Sequence, residues 1–115
     1  MKKTLLSLMV IMMTTLFTSC ITSSGKYYQL TNNTSYQLSG SICEYDTYDN
    51  YIQRINFHLD THQSTPSILA SDKSKKVKIF LSDYNQWVAD VYYLNSVFSI
   101  NISLDNGTEL INHEP

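Results

Sequence analysis

The chain has little positive charge and no long basic segment. Its 115 residues contain 8 Lys and Arg against 10 Asp and Glu, which gives a net charge of −2 at pH 7. Proteins that hold nucleic acid or an anionic membrane surface by charge carry a strongly basic patch. We therefore predict neither as a charge-held partner. The lysines within residues 73–78 are interpreted as part of a solvated turn.

Motifs that identify an enzyme are also missing. There is no G-x-S-x-G elbow, and neither Cys43 nor any serine stands in a recognisable nucleophile motif. His58 and His62 have the i, i+4 spacing of a zinc protease, but Leu59 occupies the position of that motif's glutamate. We therefore predict a protein that is not an enzyme and that uses no metal and no other cofactor.

Only one stretch is long and apolar, and it lies at the N-terminus. Lys2 and Lys3 precede about 13 mostly apolar residues, 5–17, after which two small residues and a cysteine follow. This order is typical of a secretory signal peptide. As a helix the run would be about 20 Å long, short of the ~30 Å hydrocarbon core of a bilayer. A permanent transmembrane helix is therefore disfavoured.

The end of this run resembles a lipobox, the recognition sequence of bacterial lipoprotein signal peptidase. That family has a large apolar residue, two small residues and an invariant cysteine, and here these are Phe17, Thr18, Ser19 and Cys20. The usual first residue is leucine, so Phe17 departs from the pattern. The resemblance implies that residues 1–19 are removed. Cys20 then becomes the first mature residue, with a thioether-linked diacylglycerol and an N-acyl chain such as palmitate. The alternative is an ordinary secretory signal cleaved after Ser24.

The resemblance also implies where the protein is held. Two or more acyl chains anchor a protein stably, so residues 20–25 would be a lipidated cysteine and a short tether in the bacterial cell envelope. In enteric lipoproteins an aspartate after the cysteine retains the protein at the inner membrane. Ile21 stands there instead, which points to the outer membrane. No acidic run follows, which favours the periplasmic face over the cell surface. Acylation of Cys20 would leave Cys43 without a disulfide partner.

Residues 26–115 are interpreted as a single domain made of β-strands. Tyr, Val, Ile, Thr and Phe dominate, and apolar and polar residues alternate between polar turns, whereas no convincing helical periodicity occurs. The predicted strands are residues 26–31, 35–45, 51–59, 67–70, 76–81, 87–94, 97–104 and 109–111. Seven or eight strands at this spacing indicate an all-β fold. We expect a small antiparallel β-sandwich, immunoglobulin-like or transthyretin-like.

Three local patterns refine this prediction. Ile55, Phe57 and Leu59 alternate with polar residues, the cleanest half-buried strand pattern in the chain. Gly40, inside the second strand, indicates a bulge. Residues 105–108 contain Asn-Gly between the last two strands and predict a type I′ hairpin, because that turn needs two positive φ angles.

Tyrosine is the most unusual feature of the composition, with nine residues. Tyr45, Tyr48 and Tyr51 surround an acidic loop, and together with Trp87 they are the candidate ligand-binding residues. Tyrosine offers a large contact area at low entropic cost. We therefore predict a lipid-anchored, non-enzymatic module that binds another envelope protein or acts in assembly. The alternative is a carbohydrate- or small-ligand-binding module using these residues.

Calcium binding by the same acidic loop is an alternative interpretation. Glu44 and residues 46–50 are rich in the oxygen ligands that calcium prefers, but their spacing is not that of an EF-hand. Solvated loop acids are the simpler interpretation.

Overall fold

The domain consists of β-strands in the part of the chain that the structure covers. The computed structural model describes residues 25–95 and 99–113, so the predicted signal peptide, Cys20 and most of the tether lie outside the described residues. Those residues contain no helix and nine strands. The strands are β1 (Tyr27–Asn33), β2 (Leu38–Tyr45), β3 (Tyr51–Leu59), β4 (Ile68–Leu69), β5 (Lys76–Leu81), β6 (Gln86–Val88), β7 (Tyr92–Tyr93), β8 (Ser99–Asp105) and β9 (Leu110–Ile111).

The alternation of apolar and polar residues predicted the best-defined strands. β3 and β5 begin and end at the predicted residues. In β3, Phe57 and Leu59 are buried and Ile55 is half-buried, whereas Arg54, Asn56 and His58 are exposed. The prediction of a half-buried strand is confirmed, because one face packs on the core while the other meets water.

The strands form two sheets. The smaller has the order β4-β1-β8, and the larger has the order β3-β2-β5-β6-β9, with β7 also paired to β5. All pairs are antiparallel except β1 and β8, which run parallel from Tyr27↔Ser99 to Asn33↔Asp105. The prediction of a wholly antiparallel fold is therefore wrong at this pair. The long connection between the two strands allows a crossover that a hairpin could not make.

The predicted strand 87–94 is two strands instead of one, which raises the count in the described residues to nine. β6 pairs with the end of β5, and β7 pairs with its beginning. Between them the Ala89 N–H donates to the Glu109 carbonyl, at 3.0 Å, and so joins the β6–β9 ladder. The backbone leaves β5 there, which breaks the strand.

The predicted hairpin at residues 105–108 is a corner between the two sheets. The Thr108 N–H donates to the Asp105 carbonyl at 3.0 Å, but only Gly107 has a positive φ, at 85°. A type I′ turn needs a second positive φ, at Asn106. The Asn106 side chain instead accepts a hydrogen bond from the Ser35 N–H, at 3.0 Å. Accordingly β8 pairs with β1, and β9 pairs with β6.

Gly40 permits a close backbone approach instead of a bulge. A Cβ at this position would overlap the Phe80 carbonyl oxygen of the neighbouring strand. The register of β2 and β3 shifts between Glu44 and Tyr45, so the irregularity lies beside the loop and not at the glycine. The prediction of a bulge at Gly40 is therefore wrong, and close packing of two strands explains the missing side chain.

Both sheets contribute to one hydrophobic core. The smaller sheet supplies Tyr28, Leu30, Ile102 and Leu104, and the larger supplies mainly Leu38, Ile42, Phe57, Leu59, Val77, Ile79, Leu81 and Val88. On β5 the core-facing residues are Val77, Ile79 and Leu81, as predicted. The intervening residues of β5 therefore face away from the core, and the candidate site lies on that outer face.

Candidate functional site

A row of tyrosines crosses one end of the larger sheet. The strand registers place Tyr51 opposite Tyr45, Tyr45 opposite Lys76, and Lys76 opposite Tyr93. We call Tyr51, Tyr45, Lys76 and Tyr93 the tyrosine row. Since cross-strand partners share a face, all four side chains lie on the outer face of the sheet. The sequence predicted Tyr45 and Tyr51 in such a patch, but not Tyr93.

The row has an exposed part and a buried part. Tyr51 is 58% exposed and Tyr93 is 67% exposed, whereas Tyr45 is only 7% exposed. The Tyr45 and Tyr51 rings meet edge to face, with centroids 6.2 Å apart and planes at 74°. The Lys78 Nζ lies 4.4 Å from the Tyr45 centroid, a cation–π contact. Tyr45 thus supports the ring of Tyr51, which meets solvent.

The loop beside the row is held by Asp46. Its carboxylate accepts hydrogen bonds from the Tyr48 N–H at 2.8 Å, the Asn50 N–H at 2.9 Å and the Asn50 Nδ2 at 3.1 Å. These donors, above all the Asn50 backbone, lower the pKa of Asp46 because they stabilise its charged form. This hydrogen-bonded turn presents Tyr48, which is 84% exposed. Three large aromatic side chains therefore stand in solvent at one end of the domain.

An ion pair joins the loop to the row. The Lys76 Nζ contacts the Asp49 carboxylate. The side-chain hydrogen bond between them lowers the pKa of Asp49 and raises the pKa of Lys76. Asp49 reaches this position with a positive φ of 65°, a conformation that Asp tolerates better than most residues. The pair adds one charge of each sign to the aromatic surface.

The acidic residues considered as calcium ligands do not all lie in this loop. Glu44 was grouped with the loop acids at the sequence level, but it lies in β2 and is fully buried. The remaining acids, Asp46 and Asp49, are bonded to N–H donors and to Lys76. Across the described ranges, no three His, Cys, Asp or Glu side chains are grouped so that they could hold a metal ion.

Trp87 lies apart from the tyrosine row. It pairs with Phe80 across β5 and β6, with ring centroids 5.2 Å apart. Phe80 is four positions from Lys76 along β5, which is about 13 Å in a strand. Trp87 is half-buried on the same outer face as the row, at that distance along it.

Glu44 forms a buried polar bridge between the two sheets that the sequence reasoning missed. Its Oε2 accepts hydrogen bonds from the Tyr28 hydroxyl and the Gln53 Nε2, both at 2.7 Å, and its Oε1 accepts one from the Ser71 N–H at 2.9 Å. Burial first, and then the hydrogen bond and charge of Glu44, raise the pKa of Tyr28. The signal was present, because Glu44 follows Ile42 by two positions and therefore faces the core.

A small cavity opens at the opposite end of the domain. Its volume is about 130 Å³, and its apolar lining includes Leu38, Leu81, Leu104 and Leu110. Tyr36 and Tyr84 also line it, and both are exposed. This opening is distinct from the tyrosine row, because β2 begins near it and ends at the row.

Known proteins give no further guide. No helix long enough and apolar enough to cross a membrane occurs in residues 25–95 or 99–113. No protein-family model, no curated protein and no solved structure matches the chain.

Proposed function

We propose that this chain is a lipid-anchored, non-enzymatic protein of the bacterial cell envelope that binds another envelope protein through the tyrosine row and Tyr48. The observation that carries the binding part is the exposure of Tyr48, Tyr51 and Tyr93 at one end of the domain, at 84%, 58% and 67%. Aromatic residues are enriched in the cores of protein interfaces. Tyrosine contributes contact area and a hydroxyl while losing little side-chain freedom.

The chemistry around the tyrosines supports a protein partner. The exposed rings are accompanied by the Lys76–Asp49 ion pair, so the surface combines apolar area with one charge of each sign. Protein interfaces are enriched in aromatic side chains and also contain polar and charged ones. The ring contact with the buried Tyr45 orients Tyr51, and the bonded loop fixes the backbone of Tyr48, before binding. Ordering of this kind lowers the entropic cost of association.

The anchor rests on the sequence of residues 1–20. A positive segment, an apolar run and the lipobox-like Phe17-Thr18-Ser19-Cys20 support lipidation of Cys20 and attachment at the periplasmic face of the outer membrane. Mass spectrometry of the mature N-terminus tests this. We expect a peptide that begins at Cys20 with the mass of a diacylglycerol and an acyl chain. An unmodified N-terminus after Ser24 would refute the anchor and leave the binding proposal to be tested separately.

We further propose that the two sheets form a β-sandwich of the immunoglobulin-like or transthyretin-like kind. Support comes from the single core to which both sheets contribute side chains. Such a sandwich exposes the ends of its strands as loops, and the tyrosine row lies beside one of them, residues 46–50.

The experiment for the binding proposal is site-specific photocrosslinking in intact cells. A photoreactive phenylalanine analogue is placed at Tyr48 or Tyr51, and the matched control carries it at Tyr36. Tyr36 is equally exposed, at 65%, but lies at the other end of the domain. We expect a discrete protein adduct from positions 48 and 51 and none from position 36. Equal adducts from the crosslinker at all three positions, or no adduct from positions 48 and 51, would refute the binding proposal.

Carbohydrate binding is the second candidate, because exposed tyrosine rings also stack on sugars. It uses Tyr48 and Tyr51, with Trp87 on the same outer face but farther along the sheet. A glycan array separates the two functions. A glycan bound by the parent domain but not by a Tyr48→Ser, Tyr51→Thr double variant would favour the sugar. An array without bound glycans would leave the protein partner as the better explanation.

A further inference from the structure

A long strand edge is open on one side of the larger sheet. β3 is the terminal strand of the order β3-β2-β5-β6-β9, and no described residue pairs with its outer side. It is nine residues long, from Tyr51 to Leu59. Free edges of this length invite pairing with another chain, and proteins commonly shorten, cover or charge them. In β3 only Arg54 carries a full charge.

The hydrogen bonds of β2 identify which residues of β3 face outward. The Ser82 N–H donates to the Ser39 carbonyl at 2.9 Å, so Ser39 directs its backbone groups toward β5. Backbone direction alternates along a strand, and therefore Gly40 and Ile42 bond to β3 through their partners Phe57 and Ile55. The intervening residues of β3 present unpaired N–H and C=O groups to solvent, and these are Arg54, Asn56 and His58.

A groove runs beside this edge. Its volume is about 400 Å³, and it lies between β3 and the segment 63–68. Ile55, Phe57, Pro66 and Ile68 supply apolar surface to it. A strand added to β3 would direct alternate side chains toward the core side, where the groove lies, and the others to the outer face. The edge and the groove together therefore fit an extended peptide with apolar residues at every second position.

The charge at the edge distinguishes among extended partners. Arg54 is exposed, and its guanidinium has no ion-pair partner among the described residues. Opposite charges in directly facing cross-strand positions are favourable, and like charges are unfavourable. A second copy of β3 would bring no acidic residue to this edge, because its sequence contains none. A peptide with an Asp or Glu opposite Arg54 complements the edge better.

We propose that the β3 edge binds an extended peptide segment of a partner protein by strand addition. Backbone hydrogen bonds form at Arg54, Asn56 and His58. An acidic residue of the partner faces Arg54, and the apolar residues on either side of that acid enter the groove. Arg54, Asn56 and His58 are not members of the tyrosine row, although Tyr51 of the row begins the same strand. The site stands if the proposed function of the row fails.

The test uses two synthetic peptides and the folded domain. Both peptides alternate valine with threonine, and the central threonine is replaced by aspartate in one and by lysine in the other. At saturating aspartate peptide we expect the amides of Arg54, Asn56 and His58 to exchange hydrogen about tenfold more slowly. The amides of Ile55 and Phe57 already bond to β2 and should not change. Protection at other strands, or none at β3, would overturn the proposal.

Variants separate backbone pairing from side-chain contacts. Arg54→Glu should reverse the peptide preference, which we expect to be about threefold for aspartate over lysine in the parent domain. Asn56→Pro removes the outward N–H without breaking the ladder to β2 and should abolish binding. Asn56→Thr keeps that N–H and should bind normally. If Thr and Pro at position 56 weaken binding equally, or Arg54→Glu leaves the preference unchanged, strand addition at this edge is wrong.

The tyrosine row provides the independent control. A Tyr48→Ser, Tyr93→Ser domain, whose substitutions lie outside β3, should bind the aspartate peptide as tightly as the parent domain. Loss of peptide binding in that variant would place the peptide on the row instead of on the β3 edge.

Discussion

Glu44 is the residue whose environment most constrains the fold. Three donors from three different parts of the chain converge on one fully buried carboxyl group, from Tyr28, Gln53 and Ser71. Removing this acceptor leaves the buried Tyr28 hydroxyl and two half-buried donors without it. An unsatisfied buried donor costs more than its hydrogen bond contributes. The side chain therefore fixes how the first strand of the smaller sheet lies on the larger one.

We expect Glu44→Ala to lower the free energy of unfolding by about 3 kcal/mol. The matched control is Glu109→Ala, at an exposed position, for which we expect a change within about 0.5 kcal/mol. Urea denaturation followed by circular dichroism measures both. Equal stabilities of the two variants would contradict the role assigned to the Glu44 bridge.

The same bridge predicts a loss of stability in alkali. The pKa of Tyr28 is raised in the folded state, so folding favours the neutral phenol. Its contribution is complete below the pKa of an unfolded tyrosine, about 10, and is lost as pH rises above that value toward the raised folded pKa. The Tyr28→Phe variant lacks this phenol hydroxyl. The stability advantage of the parent domain over Tyr28→Phe should therefore shrink above a pH of about 10.

Urea midpoints measured at a series of alkaline pH values test this expectation. Tyr36→Phe is the control, because Tyr36 is exposed. The difference in stability between Tyr36→Phe and the parent domain should not depend on the Glu44 bridge, because Tyr36 is not part of it. A constant difference between the parent domain and Tyr28→Phe throughout the alkaline range would be evidence against the linkage.

At the scale of elements, the contact between β2 and β5 depends on Gly40. A side chain there would overlap the Phe80 backbone. We expect Gly40→Ala to destabilise the domain by about 2 kcal/mol or more, as overpacking does. Gly107→Ala introduces only an unfavourable positive φ in open space and should cost about 1 kcal/mol. Urea denaturation compares them, and a smaller effect at position 40 than at position 107 would contradict this account.

The elements also show what the sequence could predict. β3 was predictable because Ile55, Phe57 and Leu59 carry the alternation of a half-buried strand within nine residues. The partner of β8 was not predictable, because its parallel pairing with β1 joins residues about 70 positions apart and depends on tertiary packing. The Asn-Gly sequence suggested a hairpin, but the hydrogen bond from Ser35 to Asn106 holds a corner instead.

The candidate site was predictable only where its residues are close in sequence. Tyr45, Tyr48 and Tyr51 are close in sequence and flank one loop, so their proximity follows from local structure. Tyr93 joins them only through the β5–β7 pairing, and Trp87 is separated from them by the β5–β6 register. Neither pairing leaves a signal in the local sequence.

At the scale of the whole molecule, the proposed function joins a lipid anchor to a binding surface. The proposed acylation of Cys20 would hold the domain close to a membrane through residues 20–25. Tyr51, Tyr93 and the open β3 edge belong to the larger sheet, and Tyr48 lies in the loop between β2 and β3. One partner protein could contact both surfaces, or two partners could bind separately.

The most direct test of the central claim measures partner capture from envelopes by the anchored protein. The parent protein is compared with the Tyr48→Ser, Tyr51→Thr double variant and with a Tyr36→Ser, Tyr84→Ser control, in which equally large exposed rings are removed at the other end. We predict that reversible crosslinking and purification recover the same partner from the parent and the control but at least about tenfold less from the double variant, as expected when two interface anchors are lost. Equal recovery from all three proteins would contradict the claim that the tyrosine row and Tyr48 form the binding surface.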